Sequence, residues 1–242
     1  MQAVILAGGL GTRLRPVTER IPKVLVPVAG RPFLDWLVAT LPRDLFTEVL
    51  LLVGYLGDQV CEYCGDGSRY GMTITYSQEP EPLGTAGALR FAADMLGDRF
   101  VLLNGDTYIE LDYGDLLGFH TRMGATVTMV LARPYDLAIL PNVRVEPDGR
   151  VSRYAKGVSA PDLNGIDGGV AVFDREVLRY IPEGGPRALE GGVFQALVVA
   201  RQLAGYVTGN VYYDMGTDSG LRAVETLVEA DGRCGDTPGS GQ

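Results

Sequence analysis

Short, wholly apolar runs recur along the chain, and helix-like stretches separate them. This alternation constrains the fold more than any other feature. The apolar runs are Met1–Leu6, Val49–Val53, Phe100–Leu103 and Thr126–Ala132. Runs of this length bounded by glycine or polar turns read as strands buried on both faces. Helical patterning covers Phe33–Leu41, Leu56–Cys64, Ala86–Leu96, Leu111–Met123, Val193–Leu203 and Leu221–Ala230, with a short helix at Arg175–Tyr180. Further strands are expected at Thr73–Tyr76, Gly169–Phe173 and Tyr206–Tyr213. Pro147-Asp148-Gly149, inside Val143–Val151, is a hairpin signal. Strands alternating with helices imply an α/β fold: a mostly parallel central sheet in a Rossmann-like three-layer sandwich, with a small antiparallel addition in the second half. At 242 residues, without repeat or long linker, the expectation is a single domain over residues 1–231. The Gly/Ser/Pro-rich residues 232–242 are expected to be a flexible tail.

Several functions are disfavoured by composition. The net charge of −9 argues against a nucleic-acid partner, which would select a basic face. No stretch approaches membrane-span length, and the opening run is too short and lacks the basic flank of a signal peptide, so a cytoplasmic protein is expected. The single CxxC, Cys61 and Cys64, has neither a second pair nor a histidine cluster to complete a zinc site. It reads, with Cys234, as ordinary reduced thiols. His120 is the only histidine and has no nucleophile pattern around it, so triad chemistry is not expected. Charge is uneven, however. The first 43 residues carry six basic side chains against two acidic ones, which suits a local anion site as well as chance surface composition.

The first apolar run ends in Gly8-Gly9-Leu10-Gly11-Thr12-Arg13. Glycines let a backbone turn its N–H groups towards an anion. The spacing does not match a Walker A loop, and Leu14 stands where a dinucleotide fingerprint needs its last glycine. Arg13 adds a guanidinium fork and Lys23, behind Pro22, adds a point charge; together with the loop they suit a polyphosphate. Asp106 and Asp214 each follow a strand, in LLNGDT and VYYDMGT. Two carboxylates at one sheet edge suit Mg²⁺, which takes few protein carboxylates and shares substrate phosphates. Turn and helix-cap roles fit the same two residues, and spacing leaves both readings open.

The segment LAGGLGTRLRPVTERIPKVLVPVAGRPFLDWLV resembles the signature of the sugar-1-phosphate nucleotidyltransferases, the NDP-sugar pyrophosphorylases. The likeness continues through EPEPLGTAGAL, LLNGDTY, GGVAVF and YYDMGT, to about residue 230. It implies the nucleotide-diphospho-sugar transferase fold. It also implies that Gly8, Gly9, Gly11, Thr12 and Arg13 hold the phosphates of an NTP, with Leu6, Ala7, Asn104 and Gly105 at the same nucleotide site. Lys23 would contact the reacting phosphates, and Asp106 and Asp214 would hold Mg²⁺. Catalysis would fall to Arg13, Lys23 and Asp106. Glu79 would face the base, with Leu83, Gly84 and Thr85 beside it. Lys156, Asp167, Gly168, Gly169 and Glu190 would bind the sugar phosphate. Such enzymes are often dimers or larger homo-oligomers.

The resemblance is strongest to two branches, the D-glycero-α-D-manno-heptose 1-phosphate guanylyltransferases and the N-acetylmuramate 1-phosphate uridylyltransferases. GRPFLDWLV and NGDTYIELD favour the first. Departures from the family pattern fall in the sugar half. Ala155 replaces the glutamate of the usual Glu-Lys pair, Leu140-Pro141 replaces Tyr-Gly, and Asp167 stands for asparagine. GTP is the expected nucleotide, because a carboxylate at Glu79 can accept from both guanine N1–H and N2–H₂. The sugar 1-phosphate is expected to be a heptose or mannose-like compound. The alternatives are a uridylyltransferase for another sugar 1-phosphate, a glycosyltransferase using Asn104-Gly105-Asp106 as its metal motif, and a non-catalytic NDP-sugar-binding regulator.

Overall fold

The computed structural model describes residues 1–136 and 138–230; the expected tail and Cys234 lie outside the described residues. In chain order the elements are β1 (Gln2–Ala7), β2 (Pro27–Val28), β3 (Arg31–Pro32), α1 (Phe33–Ala39), β4 (Glu48–Val53), α2 (Gly57–Cys64) and β5 (Thr73–Gln78). Then come α3 (Gly84–Phe91), β6 (Arg99–Asn104), β7 (Thr107–Tyr108), α4 (Tyr113–Met123), β8 (Val127–Pro134), β9 (Val143–Val145) and β10 (Val151–Tyr154). Last are β11 (Asp167–Asp174), α5 (Phe194–Val199), β12 (Leu203–Asp214) and α6 (Asp218–Ala230). They group into two units. The first holds residues 1–82, 104–108 and 213 onward; the second holds 83–103 and 109–212. No described helix is long and apolar enough to cross a membrane.

In the first unit β1, β4 and β5 form a parallel ladder with β4 in the middle, Ala7 pairing Val53 and Val53 pairing Gln78 at the carboxyl end. Ala3, Val4 and Ile5 are fully buried, as are Val49, Leu50 and Leu51. Burial on both faces explains why these strands read as unbroken apolar runs. Helix α1 is buried almost all round, including its one acid. Asp35 accepts from the hydroxyls of Tyr70 at 2.7 Å and Tyr63 at 2.9 Å and from Arg69 at 3.2 Å. A buried carboxylate is tolerable only when its oxygens are satisfied in this way. The network ties α1 to α2 and the turn that follows it. Cys61 and Cys64 lie on α2 as free thiols, and burial pushes Cys64 up to about 11.

The second unit has a mixed ladder. β11 runs antiparallel to both β6 and β8, and β12 runs parallel to β8. Phe100 of β6 stacks on Phe173 of β11 with ring centroids 5.5 Å apart. The expected hairpin is present as β9 and β10, with Gly149 at φ 82° and its N–H bonded to Glu146 O at 2.9 Å. The expected helix over Val193–Leu203 is shorter. It ends at Val199, Arg201 turns left-handed at φ 55°, and Leu203 begins β12 instead. Leu203 has helical spacing, but pairing with Val127 of β8 determines its conformation.

His120 is a packed core residue. Its Nδ1 lies 2.8 Å from Thr128 Oγ1, and its Nε2 lies 3.3 Å from Asp174 Oδ1 without a well-aligned hydrogen bond. Burial lowers its pKa from the ordinary 6.5, against the opposing pull of Asp174. The unfolded chain therefore takes up this proton more readily, so the neutral ring's contribution to stability is complete above about pH 6.5 and is lost as pH falls below it. Urea midpoints measured from pH 7.5 to 5.5 should fall in the wild type and fall less steeply in His120→Gln. Parallel pH profiles would show that His120 contributes nothing to this slope.

Two glycines of the first unit give a second expectation. A Cβ on Gly105 would strike the carbonyl of Leu6, well inside contact distance, whereas one on Gly9 would meet nothing within 4 Å. Gly105→Ala should cost about 1–3 kcal/mol, the usual range for forced overpacking. Gly9→Ala should stay within about 0.5 kcal/mol. Equal denaturation midpoints for the two variants would contradict the close approach at Gly105.

Candidate functional site

Each unit holds part of the residue set singled out from the sequence. In the first unit the glycine loop leaves the end of β1. Gly11 is left-handed at φ 62°, and its carbonyl accepts from Thr18 Oγ1 at 2.8 Å, which fixes the turn presenting Thr12 and Arg13. Leu6 contributes its backbone: its carbonyl accepts from the N–H of Gly105 at 3.1 Å. Ala7 is buried at the end of β1, paired to Val53, and Asn104 ends β6. The carboxylate of Glu79 lies over Gly8 and Gly54, so that a Cβ on these glycines would sit 3.0 and 2.8 Å from Oε1. Glu79 is thus held against the glycine loop, with its own N–H on Val53 O at 2.9 Å.

The two aspartates are brought together by pairing of β7 with the end of β12, Asp214 opposite Thr107. The N–H of Met215 bonds to the carbonyl of Asp106 at 2.9 Å, and the N–H of Gly216 to Asp214 Oδ1 at 2.7 Å. Lys23 is seated on a single 3₁₀ turn after Pro22, with Nζ 2.5 Å from Asp106 Oδ2. The guanidinium of Arg13 spans both acids, 3.4 Å from Asp214 Oδ2 and 3.9 Å from Asp106 Oδ2. Two cations and two carboxylates thus form one cluster at the glycine loop. Among the described residues, no group of three or more histidine, cysteine or acidic side chains gathers as a ready-made metal cage. A pair of hard carboxylate oxygens with no further protein ligand is the donor set that Mg²⁺ accepts when phosphates complete its shell. Asp106 and Asp214 therefore fit such an ion.

In the second unit Lys156 is paired with Glu190, Nζ to Oε1 at 2.8 Å. Thr85 Oγ1 donates to the other carboxylate oxygen of Glu190 at 3.3 Å and accepts from Leu189 N–H at 2.8 Å. Burial alone would raise the Glu190 carboxyl, but the hydrogen bond and charge of Lys156 hold it below the usual carboxylate range. The lysine whose expected neighbour is replaced by Ala155 has thus a carboxylate partner from another part of the chain. Gly84, at φ 72°, packs against the carbonyl of Arg187, which accepts from Ala86 and Gly87 N–H at 2.9 and 3.2 Å. Arg187 N–H returns a bond to Leu83 O at 2.7 Å, so the start of α3 is strapped to the 187–190 segment.

Asp167 is engaged within the unit. Its oxygens accept from Tyr154 OH and Gly169 N–H, both at 3.0 Å, and its own N–H bonds to Asn142 Oδ1 at 2.9 Å. Burial raises its pKa, opposed by those donors. Gly168 is buried against Ala132, and Gly169 is left-handed at φ 72°. Leu140 is exposed. Residues the sequence reading passed over are Gly216, whose lack of a side chain makes room for Arg13, and Thr18, Asn142, Tyr154 and Arg187. Only Gly216, beside Asp214 in DMGT, carried a local signal.

Comparison with known proteins gives these features a family. The nucleotidyl transferase family profile matches residues 2–230. The chain is 36% identical over 220 residues to the mannose-1-phosphate guanylyltransferase of Mycobacterium tuberculosis, which covers 90% of this chain and 61% of that protein. It thus spans about three fifths of that longer relative. Against the N-acetylmuramate alpha-1-phosphate uridylyltransferase of Neisseria meningitidis serogroup B it is 31% identical, covering 95% of this chain and 99% of the relative. Among solved structures, a putative glucose-1-phosphate thymidylyltransferase from Bacillus anthracis superposes with a TM-score of 0.80 at 24% identity, over 94% of this chain and 95% of that one, and so shares the fold. HddC from Yersinia pseudotuberculosis, complexed with GMP-PN, gives 0.76 at 25% identity, over 93% and 98%. The chain is a member of the nucleotidyl transferase family.

Proposed function

We propose that this chain transfers a nucleotidyl group from an NTP to a sugar 1-phosphate, forming an NDP-sugar and pyrophosphate. One observation carries the reading: Arg13, Lys23, Asp106 and Asp214 form a single charged cluster at the mouth of a glycine loop. No side-chain nucleophile is required. A phosphate oxygen of the sugar 1-phosphate bonds to the α-phosphorus in line, the bond from that phosphorus to the bridging oxygen breaks, and its electron pair leaves with pyrophosphate. All reactants are anions, so catalysis is charge neutralisation and alignment. Lys23 is held at a fixed place by Pro22 and Asp106, and it meets the phosphates undergoing reaction. Arg13 offers a fork to the departing pyrophosphate. Mg²⁺ held by Asp106 and Asp214 would neutralise charge on the α-phosphate. In the second unit the Lys156–Glu190 pair supplies an ammonium for the sugar phosphate and a carboxylate for hydroxyl groups.

GTP is our preferred nucleotide and a mannose- or heptose-like 1-phosphate our preferred acceptor. The Glu79 carboxylate supports this choice, together with relatives named as guanylyltransferases and a GMP-PN complex among structural neighbours. A uridylyltransferase acting on another sugar 1-phosphate is the second reading. It is favoured by the full-length relative from Neisseria meningitidis. A regulator that binds NDP-sugars without turnover is disfavoured, since both cations and both aspartates are in place.

Pyrophosphate release from a panel of four NTPs against several sugar 1-phosphates tests the reaction, and no release with any pair would refute it. Lys23→Ala should lower kcat by on the order of 10²-fold, a typical loss for one preorganised charge contact. A change confined to KM would instead assign Lys23 to ground-state binding.

Base choice is tested separately. A bidentate carboxylate pair discriminates by about 1–3 kcal/mol. The wild type should prefer GTP over UTP and ATP in kcat/KM, and Glu79→Gln should lose most of that preference. A wild type that prefers UTP, or a mutant of unchanged selectivity, would transfer base recognition to other groups.

A further inference from the structure

We propose that Arg13 is a displaceable counter-ion for the Asp106–Asp214 pair, so that a divalent cation binds well only when a polyphosphate draws Arg13 away. The inference rests on the nucleotidyltransfer reading and deepens it. One guanidinium spans both acids, at 3.4 Å from Asp214 and 3.9 Å from Asp106, each time on Oδ2. The remaining oxygens are in use as well. Asp214 Oδ1 accepts from Gly216 N–H, and Thr107 Oγ1 approaches Asp106 Oδ1 at 3.4 Å. A divalent ion that bridges the two carboxylates through Oδ2 therefore competes with Arg13 at Asp214 and with both Arg13 and Lys23 at Asp106. It would also stand within a few ångströms of a like charge, where repulsion is only partly screened.

The two cations of the cluster are not equivalent. Lys23 is tightly paired with Asp106 at 2.5 Å, and its side chain is only 12% exposed. Arg13 makes longer contacts, and its side chain is 57% exposed, on an isolated 3₁₀ turn. It is the member that can swing out without disturbing a packed environment. Two positive and two negative side chains balance. A dication added alone would leave the cluster strongly positive, whereas a triphosphate arriving with it more than offsets the added charge and gives the guanidinium fork a new partner. Binding free energies are reciprocal, so the nucleotide would likewise bind better with the ion present.

Gly216 is an independent sign that the arrangement is built. A Cβ there would strike Nη2 of Arg13, would lie 2.8 Å from its Cζ and would lie 2.7 Å from Oδ1 of Asp214, so the glycine accommodates the guanidinium and the carboxylate together. Its backbone is not left-handed, so conformation does not demand glycine at this position. The absence of a side chain therefore makes the room in which the guanidinium lies against Asp214.

The test is Mn²⁺ binding to the nucleotide-free protein, read as loss of the free-ion EPR signal and needing no turnover. Arg13→Met should bind Mn²⁺ about tenfold more tightly than the wild type, within the usual range of coupling between sites. Arg13→Lys keeps the charge and should stay near the wild type. Arg13→Gln, which removes the charge but keeps a polar side chain, should tighten binding in the same direction and carries the test if Arg13→Met proves unfolded by its thermal melt. Adding Asp106→Asn to Arg13→Met should abolish binding, which places the ion on the pair. Unchanged or weaker Mn²⁺ binding in both Arg13→Met and Arg13→Gln would overturn the inference. Such a result would leave the nucleotidyltransfer reading standing if pyrophosphate release is observed. No Mn²⁺ binding by any variant would overturn the inference together with the metal role of the aspartates.

Discussion

Where Gly105 N–H meets Leu6 O, two stretches of backbone lie closer than any side chain would permit. The rest of the first unit's chemistry hangs on that approach. It holds the start of the Asp106 turn against the end of β1, from which the glycine loop departs. Met215 then bonds to the carbonyl of Asp106, bringing the Asp214 turn to the same place. Gly220 extends the pattern, since a Cβ on it would collide with the carbonyl of Asp214. Two glycines at backbone contacts, 105 and 220, and a third against side chains, 216, thus set the positions of two acids and one guanidinium. Rigid backbone placement suits a reaction whose main demand is that charges be fixed before the substrates arrive.

How much of this was legible in the sequence differs between elements for physical reasons. Strands β1, β4 and β6 are buried on both faces, and such strands announce themselves as apolar runs. β2, β3 and β7 have two residues each and leave no periodicity to read. The boundary between α5 and β12 was hidden because the apolar spacing continues through it. The break is made by the left-handed turn at Arg201 and by pairing with β8, a long-range contact.

The site shows the same division. Gly8 to Lys23 lie in one continuous stretch, so the phosphate-handling residues could be read together. Lys156 and Glu190 are 34 residues apart, and only the fold pairs them. Ala155 looked like the loss of a lysine's partner, yet a carboxylate is present from elsewhere in the second unit. Arg187 serves the start of α3 through its carbonyl, and a backbone group leaves no trace in residue type. Asp167, expected among the sugar-phosphate residues, has both of its oxygens accepting hydrogen bonds from within its own unit, and these partners are distant or backbone groups that the sequence does not display.

The first unit is assembled from three separated stretches of chain, residues 1–82, 104–108 and 213 onward, and the second from two. The five-residue middle stretch contains both Gly105 and Asp106. Cutting the gene at a single point therefore yields neither unit whole: a fragment ending near residue 82 would hold the glycine loop, Lys23 and Glu79 but neither aspartate. Separating the two halves for study would require excising the intervening stretches and joining the remaining ones, in their original order, with short synthetic bridges.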